Sequence, residues 1–478
     1  MVDILRGKRL NPMDEGALKI TSSVDVDYRI MKKVVYVNAA HVLALKKAGL
    51  LDQENALQLL SALSKELNGY QLDYKYEDVH MSLEEDLKSR VGEKAGYIGL
   101  GKSRNDQVAT SIRLEAREEM LNTIKNVAGL LGSMIEASKN NLNTIFIGMT
   151  HLQPAQPITA SHWILSYAES IMRNTERLKL AYHMTNLSPM GAAALAGSTV
   201  PVDRRYVSDA LAFDGLIENT IDAVSARDFV MDTIYALSML ASDFSRLSSD
   251  IIVYMSLGYI DLDDKFVSTS SIMPQKRNAV VAEIIRAKSA NLVSNLFNSM
   301  EIFRALNSSY NLDLQEITPK LWNAFDEIMP MIRELGSMIS GLKFNEKLIN
   351  EIAKNSLVTA SDVAEYISMK YNMPFREAHH IVGEAIKMSE NNKLPLAKNI
   401  QTILTEKING SVMLSDIEES LDPQKSIMNR ATMGGPNPEQ SAKIMGNIAL
   451  ELAELNGWVA SEERKIEKAY ELLFNKGW

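Results

Sequence analysis

Residues 230–251 read VMDTIYALSMLASDFSRLSSDI. Val230, Ile234, Leu237, Ala241, Phe244, Ser248 and Ile251 recur in alternating steps of four and three. That spacing holds a narrow stripe on one side of an α-helix for about six turns. A seam so long and narrow packs best against long neighbours that run nearly parallel or antiparallel to it. The same period extends in both directions along the chain. Helices are predicted from about 25 to 48, 52 to 67, 107 to 142, 159 to 186, 203 to 258 and 279 to 306, with another long one ending near 342. A further helix with charges on one side follows His80. Strand-like alternation is short and weak, as around Gln71 to Tyr76. The expected class is all-α, a three-part subunit with a long central helical bundle.

Around that bundle the chain divides into an N-terminal helical domain (1–104), the central long-helix domain (105–350) and a smaller C-terminal helical domain (351–478). In the last, helices shorten and Pro374, Pro395 and Pro423 interrupt the pattern. His379 and His380 are adjacent, so on a helix they point about 100° apart and do not converge on one ligand. They read as structural, and Gly434-Gly435-Pro436 reads as a late turn.

The totals bound the function. A chain of 478 residues, 46% hydrophobic and 23% charged, suits a globular protein of several domains. A net charge of -9 argues against nucleic acid as the main partner but leaves room for a local cationic pocket. With no cysteine there is no disulfide framework and no thiolate nucleophile or ligand. Met1 to Gly16 lacks the apolar core of a secretory signal. No apolar run approaches the roughly 18 residues of a membrane span. The expected setting is the cytoplasm.

Chemistry concentrates in four polar loops at helix junctions. The first is Ser268-Thr269-Ser270-Ser271-Ile272-Met273-Pro274-Gln275-Lys276-Arg277-Asn278. Pro274 blocks a helix from the left, and Asn278 is placed to cap one beginning at Ala279. Lysine, arginine and asparagine before a helix N-terminus suit an anion. The second loop runs from Gly99 through Lys102, Ser103, Arg104 and Asn105 to Asp106, with Asn105 or Asp106 as the expected cap. The third is Thr150-His151-Leu152-Gln153-Pro154-Ala155-Gln156-Pro157, read as a rigid loop. The fourth is Tyr310-Asn311-Leu312-Asp313-Leu314-Gln315-Glu316. Residues 188–197, rich in glycine and alanine, read as a packing crossover.

Metal-ligand spacing is poor, and phosphate-loop and dinucleotide fingerprints are absent. Ser270 lacks the strand–turn–helix elbow of a hydrolase nucleophile. In an up-down bundle alternate loops fall at opposite ends, so residues from all four loops would meet only across subunits of an oligomer.

The first loop resembles the signature loop of the fumarase/aspartase superfamily. Ser103-Arg104-Asn105-Asp106-Gln107 and Thr150-His151-Leu152-Gln153-Pro154-Ala155-Gln156-Pro157 resemble two motifs of the argininosuccinate lyase/delta-crystallin family, in the same order. The resemblance runs from Ser23 to the Gly434-Gly435 turn. It implies an all-α homotetramer with active sites shared between subunits, and no metal or organic cofactor. It implies reversible β-elimination of argininosuccinate to L-arginine and fumarate through an aci-carboxylate carbanion, in arginine biosynthesis. On the matching positions Ser270 is the base and Lys276 and Asn278 stabilise the carbanion. His151 serves the acid side, with Glu283 as its carboxylate partner. Ser23, Arg104, Asn105, Thr150, Gln275, Tyr310 and Gln315 hold substrate.

The chain departs from that pattern in places. Thr269 stands where glycine is usual before the serine pair, and Ala279 where proline follows the asparagine. Lys102 stands where arginine is common. Thr318 occupies the position of an implied substrate-binding lysine, with Lys320 two residues further on. A sister lyase acting on another succinyl compound and a non-enzymatic structural relative are the alternatives. Gln275 and the 103–107 motif weigh against the first, and the occupied catalytic positions against the second.

Overall fold

The computed structural model describes residues 9–11, 13–73 and 76–475. The layer at the N-terminal side holds α1 (Met31–Lys47), α2 (Gln53–Glu66) and α3 (Val79–Val91). The bundle consists of α4 (Arg104–Asn140), α5 (Ala160–Thr185), α6 (Asp228–Ser256), α7 (Val280–Phe303) and α8 (Thr318–Ser340). Shorter helices follow, and α9 (Pro438–Leu473) closes the described chain. Strands occur only as two-stranded pairs. The stretch from Gln71 to Tyr76 forms no strand among its described residues.

Helix starts follow side-chain capping, which satisfies N–H groups that the first turn leaves without partners. Asp52 accepts from the Asn55 amide at 2.7 Å, Asp78 from Met81 at 2.8 Å, and Thr159 from His162 at 3.1 Å. Two expected caps are corrected. The cap of α4 is Ser103, whose amide donates to Asp106 Oδ1 at 3.0 Å while its own hydroxyl accepts from Asn105, so the helix starts three residues before the expected 107. Asn278 does not cap α7: it lies in a strand, and Ala279 precedes the helix with no side-chain cap.

The span expected as helix from 203 to 258 is broken. A short helix, Arg204–Ala210, ends before Ala212, whose φ of 57° leaves the helical region. Another, Thr220–Ser225, precedes α6. Arg117 explains the break. Its fully buried guanidinium donates to the carbonyls of Leu211 (2.8 Å) and Ala212 (3.0 Å) and to Asn186 Oδ1 (2.9 Å), which spares those carbonyls a helical partner.

Every residue of the Val230-to-Ile251 stripe is completely buried. Helix α6 packs against α5, α7 and α8, and α4 against α5 and α8. The helices fix two distant ends. Arg104 at the start of α4, Arg227 just before α6 and Thr318 at the start of α8 line one cavity. At the other end Phe146, beyond α4, packs on Tyr254 and Tyr259 at the end of α6 and on Phe344 beyond α8. At 1.5 Å per residue, the 29 residues of α6 separate these ends by about 43 Å.

The stretch from 351 on contributes to two cores. Val363, Ile367, Ile381, Ile400 and Ile417 form a small core of their own. By contrast, Ile448, Leu455, Val459, Ile466 and Leu473 of α9, spaced mainly by sevens, join the main core, where α9 packs on α4, α5 and α1. His379 and His380 are exposed on the helix Phe375–Asn392. No helix among the described residues is long and apolar enough to cross a membrane.

Arg117→Leu removes the donors to three buried oxygens and is expected to cost about 3 kcal/mol or more. The urea midpoint should fall accordingly, and an unshifted midpoint would contradict this role.

Candidate active site

At the end where α4, α6 and α8 begin lies a cavity of about 280 Å³. Ser23, Arg104, Asn105, Tyr310 and Gln315 line it, together with Asp27, Asp78, Arg227 and Thr318. These residues come from separate stretches of chain, tied to one another by hydrogen bonds. The Ser23 hydroxyl donates to Asp27 Oδ2 at 2.6 Å, and the Val79 amide donates to the same oxygen at 3.1 Å. The Ser23 amide donates to the Glu77 carbonyl at 2.9 Å. Arg104 Nη1 donates to Asp78 Oδ2 at 2.7 Å, and Gln315 Nε2 to the Thr21 carbonyl at 3.0 Å. Burial pushes the Asp27 carboxyl up to about 7, against the lowering effect of the Ser23 hydroxyl and the Val79 amide; Asp78 raises it further and Arg104 lowers it.

Asp106 fixes the small-residue crossover to this end. Its Oδ2 accepts from the amides of Gly191 (3.0 Å) and Ala193 (2.9 Å), and Asn105 Nδ2 donates to the Ala194 carbonyl at 2.9 Å. Gly191 needs its glycine: φ is +82°, and an added Cβ would stand 2.6 Å from Arg204 Cγ. Lys102 does not reach the cavity. It is buried against Asn38, and burial brings its ammonium down to about 8.

The opposite end holds the other candidates on two hairpins. The segment expected as a rigid loop is a β-hairpin, β1 (Ile145–Thr150) paired antiparallel with β2 (Gln153–Thr159). His151 and Leu152 form its two-residue turn with φ of 53° and 59°. That left-handed pair matches the twist of a hairpin but costs energy for residues other than glycine. Thr150 and His151 are exposed there, while the Tyr254 hydroxyl, donating to the Ile147 carbonyl at 3.1 Å, and buried Phe146 hold the base of the hairpin. Prolines 154 and 157 argued against helix in the sequence; they are tolerated here because each sits on an outer strand.

The second hairpin pairs β3 (Ser268–Thr269) with β4 (Arg277–Asn278). Arg277 pins it, donating to Asp264 Oδ1 at 2.6 Å and to the Leu262 carbonyl at 2.8 Å. Residues 271–277 are exposed, including Ile272 at 86%. Within the segment the amides of Ile272 (3.3 Å) and Met273 (3.1 Å) both donate to Ser270 Oγ. Lys276, Asn278 and Glu283 line a wider cavity of about 690 Å³ beside it.

One chain therefore gathers Ser23, Arg104, Asn105, Tyr310 and Gln315 at one end. It leaves Thr150, His151, Ser270, Gln275, Lys276, Asn278 and Glu283 at the other. No hydrogen bond or ion pair joins His151 to Glu283 within the chain; both are exposed. Lys320 is not among the residues lining the first cavity, and Thr318 there is neutral. The sequence reading missed Asp27, Asp78 and Arg227. Asp78 stood in a quoted acidic pair, and Asp27 lies four residues, one helical turn, beyond Ser23. Arg227 gave no local signal. Among the described residues no group of three or more His, Asp or Glu is arranged to hold a metal ion.

Residues 7–294 match the family described as Lyase, and residues 357–428 the one described as argininosuccinate lyase C-terminal. The chain is 36% identical to the argininosuccinate lyase of Methanocaldococcus jannaschii over 99% of each chain. It is 36% identical to that of Methanothermobacter thermautotrophicus, covering 96% of this chain and 100% of the relative. Among solved structures, EDDS lyase in complex with formate superposes with a TM-score of 0.88 at 25% identity, over 100% of this chain and 98% of that one. A class II fumarase from Schistosoma mansoni gives 0.74 at 16% identity over 86% and 94%, a likeness of fold alone.

An acid whose folded pKa exceeds its unfolded value holds its proton more tightly in the fold. Stability is full below the unfolded value of 3.8 and is lost as pH rises through about 7. Asp27→Asn cannot ionise. Its melting temperature relative to wild type is therefore expected to climb between about pH 5 and about pH 8. A difference independent of pH would show that Asp27 is not the buried acid described.

Proposed function

The chain belongs to the argininosuccinate lyase family, and from that premise we propose that it catalyses the reversible β-elimination of argininosuccinate to L-arginine and fumarate, in arginine biosynthesis. The observation that carries this is the first cavity. Ser23, Arg104, Asn105, Tyr310 and Gln315 converge there from distant stretches of sequence, in a chain of nearly the same length as its named relatives.

The chemical difficulty is a proton on the carbon beside a carboxylate. Removing it puts a second negative charge onto that carboxylate as an aci-form dianion. Fixed positive charge and donors must face it. In the mechanism we propose, Ser270 takes the proton. Two backbone N–H groups directed at its oxygen favour the alkoxide form, which a free hydroxyl reaches poorly at neutral pH. Lys276 and Asn278 stabilise the dianion. The C–N bond then breaks, the electron pair forms the double bond of fumarate, and the departing guanidino nitrogen receives a proton from His151, supported by Glu283. Thr150 and Gln275 complete the hold on substrate.

With the two groups about 43 Å apart along the bundle, the reaction needs residues from different subunits. We propose a homotetramer of three-domain subunits in the cytoplasm. The outward face of α7 supports such assembly: Ile284, Val293, Phe297 and Met300 are each more than half exposed, an apolar row that a lone subunit leaves in water.

Adding argininosuccinate should release fumarate, read by its ultraviolet absorbance; absence of release would remove the proposal. Ser270→Ala should lower turnover roughly 10²-fold or more while substrate still binds. Mixing subunits of Ser270→Ala and His151→Asn should restore part of the activity, because some mixed sites carry neither change. Verified exchange without recovery would count against shared sites.

A further inference from the structure

The cations lining the first cavity are Arg104 and Arg227, and they differ in what they are bound to. Arg104 is paired with Asp78. Arg227 is 1% exposed, and among the described residues it forms no ion pair. Its Nη1 donates to the Ala226 carbonyl at 3.1 Å and the Val224 carbonyl at 3.5 Å, both in its own corner of chain. Its Nε has no hydrogen-bond partner. The groups acting on it electrostatically are Tyr310, on the cavity wall, and Asp228, its neighbour in sequence.

A buried guanidinium with an unused donor and no carboxylate is costly unless something supplies the anion. Its planar fork of donors fits a carboxylate better than any other common anion except phosphate. The opposite charge is also present: Asp27, hydrogen-bonded to Ser23, lines the same cavity. A cation and an acid in one small enclosure suit the two charges of an α-amino acid.

Building on the proposed activity, we infer that Arg227 is a specificity-determining residue that binds the α-carboxylate of the arginine half of the substrate, beside Tyr310. The succinyl half is left to Lys276 and Asn278. Thr318, on the same wall, supplies no charge, so Arg227 is the cation available for that carboxylate. The chain thereby prefers an amino acid to the corresponding decarboxylated amine.

Calorimetric titration of the full-length protein with arginine and with agmatine, which is arginine without its α-carboxylate, tests this with fumarate present. Wild type should bind arginine roughly 10²-fold more tightly than agmatine, the range for a buried charge pair. Arg227→Gln keeps an amide donor for the corner carbonyls and should narrow that ratio at least tenfold, mainly by weakening arginine. If Arg227 serves only to brace the corner before α6, both ligands weaken together and the ratio stays at the wild-type value, which overturns the inference. Should Arg227→Gln fail to fold, Arg227→Lys carries the test. It keeps the charge but loses the fork, so its ratio must lie below wild type, and an unchanged ratio again overturns the inference. Wild-type protein that binds arginine and agmatine equally overturns it without bearing on fumarate release, which the absorbance assay reads separately.

Discussion

A helix advances 1.5 Å per residue, and helices α4 to α8 hold that advance in nearly straight runs because each buries an apolar seam against its neighbours. The completely buried stripe from Val230 to Ile251 is the clearest of these seams. The consequence is geometric. Whatever polar chemistry the loops carry is divided between two ends that no rearrangement short of breaking the bundle can join. The cavity bounded by Arg104 and Gln315 lies at one end, and the hairpins bearing His151 and Ser270 lie at the other.

Each end is then built by accounting for polar groups. At the cavity end, Asp106 satisfies the cap of α4 and two amides of the crossover with a single carboxylate. That leaves Asn105 and Arg104 directed at neighbouring chain and at the cavity. At the hairpin end the constraint is looser. Arg277 is committed to Asp264 and Leu262, whereas Lys276, two residues beyond Pro274, stays on the exposed tip. A tip that exposes Ile272 and directs two amides at Ser270 is arranged to meet a surface that this subunit does not itself provide.

Much of this was legible in the sequence. Period carried the bundle helices, and capping residues such as Asp52 and Thr159 carried their starts to within a residue or two. The failures have physical causes. The hairpin around His151 was hidden because its two left-handed residues are neither glycine nor asparagine, the usual markers of such a turn. The break between 203 and 258 comes from Arg117, a residue far away in sequence that takes the carbonyls of Leu211 and Ala212. The dual allegiance of the C-terminal stretch was hidden because α9, which returns to the main core, lies beyond turns that look like the edge of a separate domain. The resemblance of three motifs supplied the candidate residues. The pattern alone offered the polar loops and the expectation that they lie at opposite ends, but it gave no hint of Arg227, whose environment exists only after folding.

The most direct measurement is a crystal structure of the assembled Ser270→Ala protein with argininosuccinate bound. The expected result is one ligand touched by Arg104 and Gln315 of one subunit and by Lys276 and Asn278 of another. A ligand held entirely by residues of a single subunit, or one with Lys276 and Asn278 turned away from its succinyl group, would contradict the shared site.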